Sequence, residues 1–175
     1  MAATALAGCA APEPQRARFV AALAAQDSAT AALEGWCAAN RLAMPATVSA
    51  AVLDQPPPPE PADARRLLGV SAEAALGYRH VRLSCGAKVL SVARNWYVPA
   101  RLTPEMNAAL ATSRVPFGKV AAPLGFRRER LDTLPRRSRD CPAGTILGHR
   151  ALLRLPDGRP LALLVECYTR ANLRR

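Results

Sequence analysis

Three charged side chains stand where an apolar one would be expected. A strand turns successive side chains to opposite faces, so alternate residues share an environment. In YRHVRLSC (78–85), Arg79 falls on the side of Val81, Leu83 and Cys85. In VLSVARNWYV (89–98), Arg94 falls among Leu90, Val92, Trp96 and Val98. In LALLVECYT (161–169), Glu166 shares a side with Ala162, Leu164 and Tyr168. A charge on a dry face is costly unless it is paired or met by a ligand. Composition leaves two readings open: Glu166 pairs with an arginine inside the core, or its face lines a binding site. His149, in line with Leu147, Ala151 and Leu153, reads as a hydrogen-bonded core histidine.

Two helix starts add to this set. Asp27–Thr30 and Pro116–Lys119 would each present backbone N–H groups, which favour an anion; ordinary capping is the commoner use of such residues. Two arginines, one carboxylate and two helix starts suit a small aromatic or alicyclic acid in an enclosed pocket. No Ser-His-Asp signature, phosphate-binding loop, GxGxxG or metal-ligand spacing appears.

The elements that must position these residues read as α+β. A helix is expected from Gln15, with Phe19, Val20 and Leu23 on one side. After a break, Asp27 or Ser28 caps a second helix over ATAALEGWCAAN, with Leu33, Trp36 and Cys37 as its apolar side. ATVSAAVL reads as a strand, DQPPPPEPADA (54–64) as a proline-rich connector, and residues 62–68 as a short helix. Two strand-like runs follow, split at Gly86–Lys88 into a hairpin. Thr103 and Pro104 open a helix over LTPEMNAALATS, and a helical turn starts at Pro116. FRRERLDTL reads as a strand and PRRSRDCPAG (135–144) as a charged loop. TILGHRALLRL and LALLVECYT form a last hairpin turned by Asp157-Gly158. The expected result is a mainly antiparallel sheet of five or six strands in a single domain over 15–175, after a frayed Ala/Pro-rich lead at 1–14.

The chain has 175 residues and a net charge of +11, with only Lys88 and Lys119 among its 24 basic residues being lysine. That balance favours an anionic partner. The basic residues are scattered and carry no nucleic-acid-binding signature, so nucleic acid is not the expected partner. No apolar run reaches the ~18 residues of a membrane-spanning helix. The cysteines, Cys9, Cys37, Cys85, Cys141 and Cys167, are odd in number and form no CxxC pair. They read as free thiols in a reducing compartment, hence a cytoplasmic protein. LAGC (6–9) resembles a lipoprotein cleavage box, but the stretch before it is short and lacks a basic start. Export as a lipoprotein is the alternative if translation begins upstream.

In order and spacing, LAAQDSAT, YRHVRLSCG, the Val98–Pro99 strand end, VPFGK and LLVECY resemble the chorismate lyase (chorismate–pyruvate lyase) family, from about Leu23 to Tyr168. The resemblance implies a six-stranded antiparallel sheet with flanking helices and an internal ligand cavity. It implies cofactor-independent conversion of chorismate, a substrate with two carboxylates, to 4-hydroxybenzoate and pyruvate at the start of ubiquinone synthesis, by a monomer. Carried over residue by residue, Arg79 would bind the ring carboxylate and Glu166 would sit at the hydroxyl end, both as catalytic residues. Ala29 and Phe117 would lend backbone N–H groups, and Arg94 would hold the enolpyruvyl carboxylate. Ala29 stands where the family usually has Met, and Phe117 where it has Leu. The spacing around Arg94 and before Glu166 differs by one residue, and loop 135–144 has no counterpart. The alternative is a non-catalytic module binding a small acid, as in the effector domains of bacterial transcription regulators that share this fold.

Overall fold

The computed structural model describes residues 14–135 and 137–173. The expected lead, LAGC and Cys9 therefore lie outside the described residues, save Pro14. The first helix, α1 (Gln15–Ala24), buries Phe19 and Leu23 one turn apart. Ser28 then caps α2 (Ala29–Ala39), its hydroxyl accepting from the Ala31 N–H. Leu33, Trp36 and Cys37 form the buried stripe of α2, as their 3–4 spacing demands. The edge strand β1 (Val48–Val52) follows, then the proline run and the short α3 (Ala64–Leu68).

The hairpin of β2 (Gly77–Cys85) and β3 (Lys88–Tyr97) turns through Gly86, whose φ of 55° is the left-handed region that glycine tolerates. Thr103 caps α4 (Pro104–Thr112) with proline at its first position, and α5 (Phe117–Val120) is the single turn expected after Pro116. The strands β4 (Arg127–Leu134), β5 (Leu147–Arg154) and β6 (Pro160–Tyr168) complete the chain before a final 3-10 turn. The six strands lie in the order β1-β2-β3-β6-β5-β4, every pair antiparallel.

Both faces of the sheet are covered. On the inner face, α1 and α2 pack Phe19, Leu23 and Leu33 on Val81, Leu83 and Ala93, while Leu110 of α4 and Phe117 of α5 pack near Ala151 and Leu164. On the outer face, Ala64 and Leu68 of α3 cover Trp96, Leu163 and Val165. Registers across the sheet set Val81 opposite Ala93, Ala93 opposite Glu166, and Glu166 opposite His149. Arg79 lies opposite Asn95, which lies opposite Leu164. Arg79 and Glu166 therefore share the inner face.

Two expectations are corrected. Arg94 does not join that face: it lies opposite His80 and Val165 and points outward with Trp96. Because both faces of β3 are covered, apolar residues occupy both, and alternation within the strand does not reveal which side faces the site. The four cysteines among the described residues do not stand free. Cys37 of α2 is bonded to Cys85 of β2, and Cys141 to Cys167 of β6. The fold brings these pairs to Cα separations of 6.5 Å and 5.5 Å from 48 and 26 residues apart, which no sequence spacing announces. The ground for a reducing compartment is thereby removed. No helix among the described residues is long and apolar enough to cross a membrane.

Candidate functional site

The start of α2 and the turn of α5 meet over the inner face and bound a partly open cavity of about 40 Å³. Ser28, Ala29, Thr30, Phe117 and Gly118 form its roof. Asn95, Leu164 and Glu166 form its floor, with Phe126 and Leu153 at the side. The roof is tight because residue 118 is glycine. A Cβ there would stand 2.5 Å from Ser28 Oγ and 2.9 Å from Thr30 Oγ1. Lys119 holds the two roof pieces together through Glu34 of α2, at 2.7 Å, and the same carboxylate oxygen accepts from the Val48 N–H at 2.7 Å. The volume has room for about three waters. Ala29 and Thr30 open α2, and Phe117 and Gly118 open α5, where backbone N–H groups have no partner within their own helix.

Glu166 is held on two sides. Arg128 of β4 donates Nε to its Oε2 at 3.1 Å and its Nη2 to the same oxygen, and the Tyr168 hydroxyl donates to Oε2 at 3.1 Å. The side chains of Arg128 and Glu166 are 5% and 4% exposed, so this is a buried ion pair. Burial pulls the Arg128 pKa down, but the adjacent carboxylate outweighs it, and the net direction is up. Burial, reinforced by Glu166, pushes the Tyr168 pKa well above its ordinary value, so the phenol stays a donor. Arg128 Nη2 also lies 3.1 Å from His149 Nδ1. A guanidinium only donates, so the imidazole proton sits on Nε2, a buried atom without a partner. Burial first, then the positive charge of Arg128, holds the His149 pKa down to about 4.

Arg79 is 4% exposed and does not line the cavity itself. Its Nη1 and Nη2 donate to the carbonyls of Val115 and Ser113, at 3.2 Å and 3.1 Å, in the connection between α4 and α5. Its Nε is buried without a partner, and burial lowers its pKa from the usual arginine value. Of the residues named from the sequence, the structure thus brings Ala29, Phe117 and Glu166 to one cavity, sets Arg79 on the same sheet face beneath the roof segment, and leaves Arg94 on the other side.

Sequence reasoning missed Arg128 and Asn95, while Thr30 lies in the helix start that it did single out. A signal for Arg128 existed: a carboxylate on a dry face demands a cation, and Arg128 and Arg130 alternate on one side of β4. Among the described residues, no group of three His, Cys, Asp or Glu side chains could hold a metal ion.

No protein-family model matches the chain. The uncharacterized protein y4mC of Sinorhizobium fredii (strain NBRC 101917 / NGR234) is 40% identical over 161 residues, covering 81% of this chain and 68% of its own length. The chain belongs to the y4mC family. In structure, this family member is similar to PhnF from Mycobacterium smegmatis, at 12% identity over 85% of this chain and 66% of that one, with a TM-score of 0.60. The effector domain of the same PhnF gives 12% identity, coverage of 82% and 88%, and a TM-score of 0.57. A GntR-family transcriptional regulator from Enterococcus faecalis V583 gives 10% identity, coverage of 74% and 94%, and a TM-score of 0.48. At such identities the likeness to PhnF and its effector domain shows the fold alone, and it is the fold expected for this y4mC-family chain: a six-stranded antiparallel sheet with flanking helices, of the chorismate lyase-like kind.

Proposed function

We propose that the chain binds a small organic acid in the cavity between the roof of α2 and α5 and the inner face of the sheet, without turning it over. The observation that carries this reading is the roof itself: the opening residues of two helices meet above a floor that contains Glu166. The acid group would take the unpartnered N–H groups of Ala29 and Thr30, with the positive charge of Arg79 nearby. A hydroxyl at the far end of the ligand would meet Glu166. Because Glu166 is already engaged by Arg128 and Tyr168, the cavity contains no idle base, which favours recognition over proton transfer. A fold shared with an effector domain supports the same reading. The roof must lift to admit a ring, since the pocket has only about 40 Å³.

Chorismate lysis is the second reading, favoured by one observation. Arg79 and Glu166 lie on the same face, two strands and two residues apart, or about 12 Å by standard sheet spacings. In that reading Arg79 fixes the ring carboxylate and Glu166 assists proton movement as pyruvate leaves. Arg94, on the outer face, would take no part.

One experiment separates the two. Purified protein is titrated with 4-hydroxybenzoate and with chorismate while melting temperature and pyruvate are followed. Binding alone is expected, with a melting point raised by about 5–10 °C at a hundred times the Kd. Pyruvate released in step with an aromatic product would transfer the conclusion to the lyase. Neither binding nor pyruvate would sink both readings.

A further inference from the structure

The outer face carries a second site that the cavity does not explain. Register sets His80 of β2 opposite Arg94 of β3, with Arg82 two residues along the same side. The loop between β4 and β5 contributes Arg139. These four side chains line a groove of about 370 Å³ whose floor is completed by Val92 and Val165. The groove is built rather than incidental. Its loop wall is bonded to the floor by Cys141–Cys167, and Arg94 Nη1 donates to the Asp140 carbonyl at 3.3 Å. Among the described residues, none of Arg82, Arg94 and Arg139 has a carboxylate within ion-pair distance. The Asp140 carboxylate, the acidic member of the lining, accepts from Ser138. Like charges side by side on a sheet repel. The buried His80 registers this: burial, Arg94 and Arg82 all lower its pKa.

We infer that this groove binds a small multivalent oxyanion, a phosphate ester or a di- or tricarboxylate, through the guanidinium groups of Arg82, Arg94 and Arg139 with His80 as the neighbouring donor. Guanidinium forks match both kinds of oxyanion, and a doubly charged anion relieves the repulsion among three unpaired cations. The inference is independent of what the cavity takes.

The two histidines of the chain make the test clean, because His80 lies in the groove and His149 beside Glu166 on the other face. Imidazole NMR signals are followed while the folded protein is titrated with inorganic phosphate, with citrate, and with acetate as a monovalent control. Phosphate, citrate or both should move the His80 signals saturably and raise its pKa, leaving His149 in place, and acetate should bind at least tenfold more weakly. The stronger of the two ligands identifies the oxyanion chemistry. R94Q and R139Q should each weaken binding about tenfold. R159Q removes an equal charge from the distant hairpin turn, and should leave binding unchanged. Equal weakening by R159Q would mean general attraction to a basic protein and would overturn the site. So would a His80 signal unmoved by both phosphate and citrate. A ligand of the cavity would instead perturb His149, so failure here and failure of the small-acid reading are told apart.

Discussion

At the scale of single residues, the buried pair of Arg128 and Glu166 governs the inner face. Removing one partner leaves a charge in a dry place, whereas removing both leaves apolar surface. R128A should therefore cost about 3–5 kcal/mol of unfolding free energy, read from urea melts, while the double variant R128M/E166L should cost far less. Equal costs for the two would show that the pair is not behaving as a buried one. His149 makes the second residue-scale prediction. Its folded pKa of about 4 lies below the value of about 6.5 for an unfolded histidine. Between these values the unfolded chain takes up a proton that the folded chain refuses, so stability rises with pH across the window and is lost as pH falls through it. The loss at the acid end is on the order of 3 kcal/mol. The charged groups acting on the ring are Arg128, Arg130 and Glu166, the two arginines opposing its charging, and the Tyr168 ring packs edge-on against it at 5.6 Å. Unfolding free energies measured from pH 7 to 4 should slope accordingly, and H149N, which keeps an acceptor for Arg128, should flatten that slope.

At the scale of elements, the roof is two short segments meeting at a glycine. G118A drives a methyl group to 2.5 Å from Ser28 Oγ, the atom that also caps α2. The roof must then shift or lose its cap, at about 1–3 kcal/mol. K119M removes the ion pair with Glu34, whose side chains are 39% and 24% exposed, and should cost less than about 1 kcal/mol. Melting curves of the two variants test this order; the reverse would mean that charge, not close approach, holds the roof. These elements were largely legible in the sequence. Ser28, Thr103 and Pro104 sit at helix starts as their capping chemistry requires, and Gly86 and Asp157-Gly158 mark hairpin turns. The placement of Arg79 beside Val81, Leu83 and Cys85, and of Glu166 beside Ala162, Leu164 and Tyr168, followed from alternation within each strand, while strand register shows that the two share the inner face. The outward placement of Arg94 did not follow from alternation, because it depends on strand neighbours. Nor did Arg128, because β4 is mostly exposed and its arginines read as solvated surface.

At the scale of the whole molecule, the two disulfides serve different faces. Cys37–Cys85 ties α2, which opens at the roof, to β2, which carries Arg79. Cys141–Cys167 ties the loop bearing Arg139 to the outer side of β6. Sequence could not pair them, since closeness in space is created by the sheet order, not by spacing along the chain. If both bonds are formed in the isolated protein, peptide mapping without reductant should recover the 37–85 and 141–167 linkages. On the chain-entropy account, loops of 48 and 26 residues give losses of about 4 and about 3.5 kcal/mol when each is opened. The functional consequences should divide by face. The C37S/C85S variant, kept below its melting point, should bind the cavity acid more weakly, because the roof loses its tether, and should hold phosphate or citrate in the groove as before. The C141S/C167S variant should do the opposite, freeing the loop wall and weakening the oxyanion while leaving the cavity ligand unaffected. Titrating both variants with both ligands gives four affinities. A uniform loss across all four would mean that the bonds act through global stability alone and that the two faces are not separate sites.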